Sequence, residues 1–202
     1  MRWKCPQIWD GGDVFILGGG PSLAQVDASR LVGQKAIAVN TAFKYFPQSP
    51  VMYFMDCHWL DRNWQELRKF RGLRVSSCPK TKELAWILFL DHNYATRYGL
   101  DDRPGFIARA NNSGCGAVAL GHKLGAKRAI LLGFDMRVVD GQHNFHTEHT
   151  RKVAESLYRT QFMKGFEKLK VAADAAGYDI LNATPDSALE CFPQISLDEV
   201  LP

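Results

Sequence analysis

The chain has 202 residues, 46% of them hydrophobic and 23% charged, which is typical of a globular protein. No apolar run approaches the ~20 residues that a membrane-spanning helix needs, and the N-terminus does not resemble a signal peptide. The net charge of +4 permits an acidic ligand such as a nucleotide or nucleic acid without requiring one. Five scattered cysteines, without a C-x-x-C pair, favour a reducing cytoplasm over a disulfide scaffold or a zinc ribbon.

The first motif occupies residues 13–23. Apolar residues 14–17 predict a short strand that is buried on both faces. This strand runs straight into Gly18, Gly19, Gly20, Pro21 and Ser22. Glycines let the backbone approach a ligand, a proline suits the first turn of a helix, and a serine can cap it. N–H groups at a helix start attract anions, so we expect this turn to hold the phosphates of a nucleotide. A tight turn without a ligand is the alternative.

Short apolar runs and helical spacing continue along the chain. Strands are predicted at 35–40, 51–56, 73–76, 105–108, 128–133 and 178–182. Helices are predicted at 22–32, 41–46, 58–70, 80–90, 113–124, 150–176 and 196–200, with a polar loop at 134–149. Residues 86–90 of the fourth helix also allow a different assignment. Because strands alternate with helices, we expect an α/β fold: a Rossmann-like three-layer sandwich with a mainly parallel sheet and helices on both faces. Residues 1–202 are expected to form a single domain.

Ligands of such sheets bind beyond the carboxyl ends of the strands. The predicted strand ends carry Gly18, Asn40, Asp56 and Gly133, which places these residues on one rim. Asn40 suits a base or a ribose, and Asp56 suits a ribose hydroxyl or Mg²⁺. Helix capping is the alternative for both residues.

A second anion or base site is predicted where the helix at 113–124 begins, at Asn112, Ser113 and Gly114. Plain helix capping by Ser113 is the competing interpretation. The Gly-rich turn lacks the spacing of a dinucleotide fingerprint, and no Gly-Lys-Ser/Thr follows it. A nicotinamide enzyme and a P-loop ATPase are therefore both disfavoured.

Three histidines, His143, His146 and His149, recur at every third position of the predicted loop. A zinc site is disfavoured because a loop does not guarantee the fixed geometry that three histidine ligands need. A histidine above the strand ends suits a general base, since its pKa lies near neutrality. Solvated surface histidines remain the alternative.

Several of these motifs together resemble a known family. Residues 15–23 resemble the glycine-x-glycine-proline-serine-leucine opening of bacterial family 42 sialyltransferases and of the related pterin diphosphokinase (MptE-like) group. Residues 38–40 are similar to the strand end whose asparagine those sialyltransferases use on the nucleotide. Residues 113–135 are similar to a Ser/Thr-Gly helix that leads to a strand ending in Gly-x-Asp. Residues 148–150 fall about where the sialyltransferases carry a glycine-histidine-serine catalytic base. The resemblance covers roughly residues 13 to 150.

The chain also departs from that family. Gly19 replaces the usual asparagine, and Met136 and Arg137 stand where tyrosines support the leaving phosphate. The arginine expected before the Ser-Gly helix is displaced, with Ala110 in its place and Arg109 beside it. A carboxy-terminal membrane-associating extension has no counterpart. These departures weigh against a CMP-sialic acid donor and a lipid-bound acceptor.

The resemblance implies a nucleotide-sugar-dependent glycosyltransferase whose donor substrate is the nucleotide sugar. The rim residues and the two helix starts would bind the nucleotide. His149, or failing that His146, would accept the proton of the acceptor hydroxyl. Asp135 would orient the loop or the acceptor, and Arg137 would stabilise the leaving phosphate.

Two alternatives stay open. One is an MptE-like diphosphokinase that uses ATP and Mg²⁺, with Asp56 and Asp135 as metal ligands. The other is a non-catalytic nucleotide-binding protein. The acceptor and the oligomeric state, a homo-oligomer included, are left undetermined.

Overall fold

The structure, a computed structural model, describes residues 2–147 and 155–201. In these ranges seven parallel strands form one sheet in the order β5-β4-β3-β2-β1-β6-β7. The strands are β1 (Asp13–Leu17), β2 (Ala36–Val39), β3 (Val51–Phe54), β4 (Leu73–Ser76), β5 (Leu88–Phe89), β6 (Arg128–Leu132) and β7 (Asp179–Asn182). The expected α/β class and parallel sheet are confirmed.

Helices connect the strands. The α-helices are α1 (Ala42–Tyr45), α2 (Cys57–Lys69), α3 (Ser113–Lys123), α4 (Glu155–Leu157), α5 (Lys164–Ala176) and α6 (Leu197–Val200). A π-helix at Tyr158–Met163 joins α4 to α5, and 3₁₀ helices lie at Pro21–Gln25, Ala28–Leu31 and Pro79–Thr81. Among the described residues, no helix combines the length and the apolar composition that crossing a membrane would require.

The central strands β1, β2, β3 and β6 are buried on both faces, as their apolar runs predict. Val14 and Ile16 of β1 pack with the core that contains α3 and α5. Phe15 and Leu17, which point the other way, pack with the core that contains α1 and α2. This alternation produces the three layers.

Helix α3 lies close to the sheet because its facing positions are small. A Cβ atom on Gly116 would stand 2.6 Å from the ring of Tyr53, and one on Gly121 would stand 2.8 Å from the Tyr178 hydroxyl. The small-residue helix predicted at 113–124 is thus confirmed, and its start is fixed above the strand ends.

Three predicted elements differ from the structure. The helix predicted at 22–32 is instead two 3₁₀ helices, because the Asp27 side chain accepts a hydrogen bond from Ser29 N–H and begins a new turn. The helix predicted at 80–90 is wrong: Leu88–Phe89 forms strand β5 against β4. The strand predicted at 105–108 is reduced to one bridge between Asp91 and Phe106.

The long helix predicted at 150–176 is interrupted by the π-helix, and residues 150–154 lie outside the described residues. Its end is as predicted: Gly177 takes the left-handed conformation, φ 65°, that favours glycine after a helix. The predicted C-terminal helix also forms, and Ser196 caps it.

Cys57 and Cys78 form a disulfide, which the sequence analysis did not predict. Cys57 follows β3 and Cys78 follows β4, and these strands are parallel neighbours, so residues 21 apart in sequence meet in space. Cys5, Cys115 and Cys191 have free thiols. The cysteine-spacing argument for a reducing compartment therefore fails for this pair, and a cytoplasmic location stays a prediction.

Candidate functional site

The strand order reverses next to β1. The chain runs from β1 outward to β5, then returns to place β6 on the opposite side of β1. At the carboxyl ends of these two strands, Gly18 N–H donates to the Leu132 carbonyl (2.7 Å) and Gly20 N–H donates to the Gly133 carbonyl (2.8 Å). Doubly wound sheets bind their ligands at such a reversal.

A cavity of about 590 Å³ opens at this place. It brings together most of the residues predicted for the site: Gly18, Gly19, Gly20, Asn40, Asp56, Asn112, Ser113, Gly114, Gly133, Asp135, Arg137 and His146. Pro21 and Ser22 do not line the cavity. His149, the expected catalytic base, lies outside the described residues.

The Gly-rich turn is a weaker anion cradle than the sequence predicts. The N–H groups of Gly18 and Gly20 are bound to carbonyls, and that of Ser22 donates to Asp135 Oδ1 (3.2 Å). Of the turn's N–H groups, only that of Gly19 has no partner among the described residues. The expected cap is also wrong, because the Ser22 hydroxyl donates to Asp135 Oδ2 (2.8 Å) instead of capping a helix.

Gly20 is required by the position of Asp135. A Cβ atom on Gly20 would lie 1.9 Å from Asp135 Oδ2 and 2.8 Å from the Gly133 carbonyl oxygen. The Asp135 side chain, only 3% exposed, fills that space and joins the turn after β6 to the turn after β1. The carboxylate thus orients the Gly-rich turn.

The start of α3 keeps free donors toward the cavity. Asn112 caps the helix through Oδ1, which accepts from Gly114 N–H (2.7 Å), so the predicted capping role falls on Asn112 and not on Ser113. The Ser113 N–H has no partner among the described residues. The Asn112 Nδ2 amide is buried and also unpartnered.

Buried polar atoms without partners concentrate around the cavity. Six side-chain atoms of this kind occur in the described part of the chain, and four belong to cavity residues: Asn40 Oδ1, Arg109 Nε, Asn112 Nδ2 and Arg137 Nε. Buried polar groups are almost always hydrogen-bonded, so these atoms are available to a polar ligand or to water in the cavity. One acceptor and three donors, two of them on guanidinium groups, suit an anionic ligand that also offers a donor of its own.

Strained backbone surrounds the same cavity. Asn40, Asn111 and Met136 have φ angles of 50°, 54° and 51°, although none of them is glycine. Such conformations cost roughly 1–3 kcal/mol each and cluster at functional sites.

Arg109 and His92 form a pair that sequence reasoning did not assign to the site. Arg109 lines the cavity, is 9% exposed, and its Nη2 lies 2.6 Å from His92 Nε2. Burial, and then the charge of Arg109, hold the pKa of His92 below its ordinary value, against an opposing effect of Asp91. The displaced-arginine comparison pointed to Arg109, but no sequence signal marks His92.

The polar loop predicted at 134–149 contributes two histidine side chains, His143 and His146, to the cavity wall. His143 stacks on Tyr158, with ring centroids 6.2 Å apart and planes 18° apart, and His146 meets the ring of Phe145 edge-on. Within residues 2–147 and 155–201, no group of three or more metal-binding side chains is placed to hold an ion.

Asp56 and Asp135, the predicted Mg²⁺ ligands, both accept hydrogen bonds from the protein. Asp56 Oδ1 accepts from His58 N–H (2.8 Å) as the cap of α2, as its capping alternative predicted. Both oxygens of Asp135 accept hydrogen bonds from Ser22. A Mg²⁺ site at these two carboxylates stays a prediction.

The fold resembles that of a known enzyme. The sialyltransferase CstII from Campylobacter jejuni, in complex with the substrate analogue CMP-3FNeuAc, matches with a TM-score of 0.59 and 14% identity over 95% of this chain and 88% of that chain. A structure of the same enzyme with cytidine-5′-monophosphate matches at a TM-score of 0.44 and 15% identity, over 92% of this chain and 85% of that chain. No protein-family model matches the chain, and no curated protein matches its sequence. The chain thus has a glycosyltransferase-like α/β fold.

Proposed function

We propose that the protein is a nucleotide-sugar-dependent glycosyltransferase, with residues 1–202 forming one nucleotide-binding transferase domain. The observation that carries this proposal is the set of unpartnered buried polar atoms around a cavity at the strand-order reversal. The fold likeness supports it, because the structure of that enzyme is a complex with the substrate analogue CMP-3FNeuAc.

The cavity divides into two chemical parts. Asn40 Oδ1 accepts a hydrogen bond from the base or ribose, and Asn112 Nδ2 donates to the same nucleoside or to its phosphate. Arg109 and Arg137 supply the positive charge for phosphate, together with the N–H groups of Gly19 and Ser113. Pro21, Ser22 and Asp135 act indirectly, by fixing the turn that carries Gly19.

The transfer step needs a base and a stabilised leaving group. The acceptor hydroxyl attacks the anomeric carbon of the sugar, the bond between that carbon and the donor phosphate oxygen breaks, and the hydroxyl proton passes to a histidine. His146 lines the cavity and His149 is the base that the family resemblance implies. Arg137 neutralises the charge that develops on the departing phosphate.

Ligand-induced stabilisation tests nucleotide binding. CMP-, UDP-, GDP- and ADP-linked ligands are compared by thermal shift, since a ligand that binds only the folded form raises the melting temperature. Asn40→Gly keeps the left-handed backbone but removes the acceptor, so we expect about tenfold weaker binding. Asp186→Gly is the matched control, because Asp186 has the same φ of 50° and does not line the cavity. No shift with any ligand, or equal binding by Asn40→Gly, would overturn the proposal.

Turnover identifies the base. We expect His146→Ala or His149→Ala to lower donor hydrolysis and transfer by about 10²–10⁴-fold while nucleotide binding persists. His58→Ala, an exposed histidine outside the cavity, is the control. If both variants keep full activity, neither histidine is the base. Nucleotide binding without any turnover would favour the non-catalytic alternative. Turnover that depends strictly on Mg²⁺ would favour the ATP-dependent diphosphokinase instead.

A further inference from the structure

We propose that His92 is a positioning residue, which holds the guanidinium of Arg109 against the cavity through the lone pair of its Nε2 atom. The inference rests on the proposed function, because it assigns to Arg109 the phosphate of the bound nucleotide. His92 does not line the cavity, so it would act only through Arg109.

The geometry fixes the roles of the two side chains. Arg109 Nη2 lies 2.6 Å from His92 Nε2. A guanidinium carries donors and no acceptor, so the ring nitrogen must accept. This role requires a neutral His92 with its proton on Nδ1, a buried atom that has no hydrogen-bond partner among the described residues. A protonated ring would turn a second donor and a second positive charge toward Arg109.

Within the described residues, His92 is the only side chain that forms a hydrogen bond with Arg109. The Arg109 Nε atom is buried without a partner, although the residue is only 9% exposed. The adjoining backbone is held on both sides: Asn112 N–H donates to the Arg109 carbonyl, and Ala110 N–H donates to that of Arg97, each at 2.7 Å. Arg109 is thus a cation on a hydrogen-bonded backbone segment, and its buried Nε–H is available to a ligand.

The charged groups around the pair support a neutral His92. Arg109 opposes its protonation, and Asp91 favours it. Asp91, however, already forms an ion pair with Arg2 (2.7 Å), and it accepts a hydrogen bond from the backbone N–H of His92 (2.9 Å). The Tyr94 ring covers His92 edge-on, and the buried Tyr53 hydroxyl near Arg109 bonds with Ser77, so neither supplies a charge. Burial and Arg109 together hold the pKa of His92 below its ordinary value.

The test compares two substitutions of His92, with CMP and inorganic sulfate as probes measured by calorimetry. His92→Gln presents an amide oxygen at a reach similar to that of Nε2, so we expect affinity within about threefold of the parent protein. His92→Leu fills the space without an acceptor, so we expect about tenfold weaker binding. His122→Leu controls for removing a half-buried histidine elsewhere and is expected to leave both affinities unchanged.

A double-mutant cycle separates positioning from a general structural role. If His92 acts through Arg109, His92→Leu adds nothing to the loss caused by Arg109→Gln. In Arg109→Gln the pKa of His92, followed by the NMR shift of its ring proton, should rise because a neighbouring cation is removed. Should His92→Leu fail to fold, the affinity of His92→Gln and this pKa still decide.

The outcomes separate the two proposals. The positioning role is overturned if His92→Leu binds CMP as tightly as the parent protein, if the losses in the cycle are additive, or if the pKa of His92 does not change. Each of these outcomes leaves the proposed nucleotide site intact. If no nucleotide binds but sulfate follows the expected pattern, the proposed function fails and the positioning role survives. Binding of neither probe rejects both.

Discussion

At the scale of single residues, the site depends on one glycine that admits a carboxylate. Asp135 reaches Ser22 only because position 20 has no Cβ, and this contact joins the turns after β1 and β6. The sequence assigned the glycines and Asp135 to the site, and the structure places them at the cavity with contacts that differ from those expected. Their N–H groups were expected to hold phosphate, whereas that of Gly18 donates to Leu132 at the end of β6 and that of Gly20 donates to Gly133 in the turn after it.

Gly20→Ala should therefore destabilise the fold. The new methyl group would overlap Asp135 Oδ2, and we expect a loss of about 3 kcal/mol in the free energy of unfolding by denaturant titration. Gly19→Ala is the control: among the described residues, the nearest atom to its Cβ would be the end of the Asn144 side chain, at 3.3 Å. A Gly20→Ala protein as stable as Gly19→Ala would contradict the described contact.

Two half-buried histidines predict how stability depends on pH. Burial holds the pKa values of His92 and His122 below the ordinary value, so the unfolded chain binds these protons more readily than the native protein. The free energy of unfolding is therefore highest above the histidine pKa of the unfolded chain, about 6.5. It decreases as the pH falls from 6.5 through the lower pKa values of the two histidines in the native protein.

This dependence is measured as the free energy of unfolding at pH 7.5 and at pH 5. The double variant His92→Gln, His122→Gln should lose less stability between the two pH values than the parent protein. An equal loss in both proteins would assign the pH dependence to other groups.

At the scale of elements, sequence patterns located the strands better than the helices. The strand at Leu73–Ser76 has its predicted bounds, although Arg74 and Ser76 interrupt its apolar pattern and only Val75 and Ser76 are buried. Residues 80–90 have helical spacing, yet Leu88–Phe89 pairs with β4 because the sheet edge offers partners that spacing cannot reveal. The Cys57–Cys78 contact was missed for the same reason, since strand adjacency creates it.

The disulfide should stabilise the protein. Closing a loop between residues 21 apart restricts the unfolded chain, and we expect reduction to lower the free energy of unfolding by about 3 kcal/mol. The double variant Cys57→Ser, Cys78→Ser should have the same free energy of unfolding as the reduced parent protein, and adding reductant should not change it. Cys5→Ser, which removes a free thiol, should keep the full response. A parent protein that is indifferent to reductant would contradict the bond.

At the scale of the whole molecule, the alternation of strands and helices was enough to predict the layers and the rim on which the site residues meet. It could not predict which polar side chains line the cavity. Arg109 reaches the cavity from the long connection before α3, and His92 supports it from the same connection, where periodicity is absent. Sites built from irregular segments are determined by tertiary packing, and a single sequence carries little trace of it.

The pairing of β1 with β6 has a consequence for biosynthesis. Arg128 binds Asp13 with two hydrogen bonds of 2.7 Å across 115 residues, and the turns after these strands form the floor of the cavity. While the ribosome is still adding the residues of β6, β1 has no neighbour on that side and no binding pocket exists. Capture of a nucleotide by stalled nascent chains of increasing length would therefore mark the moment at which the central strand becomes enclosed.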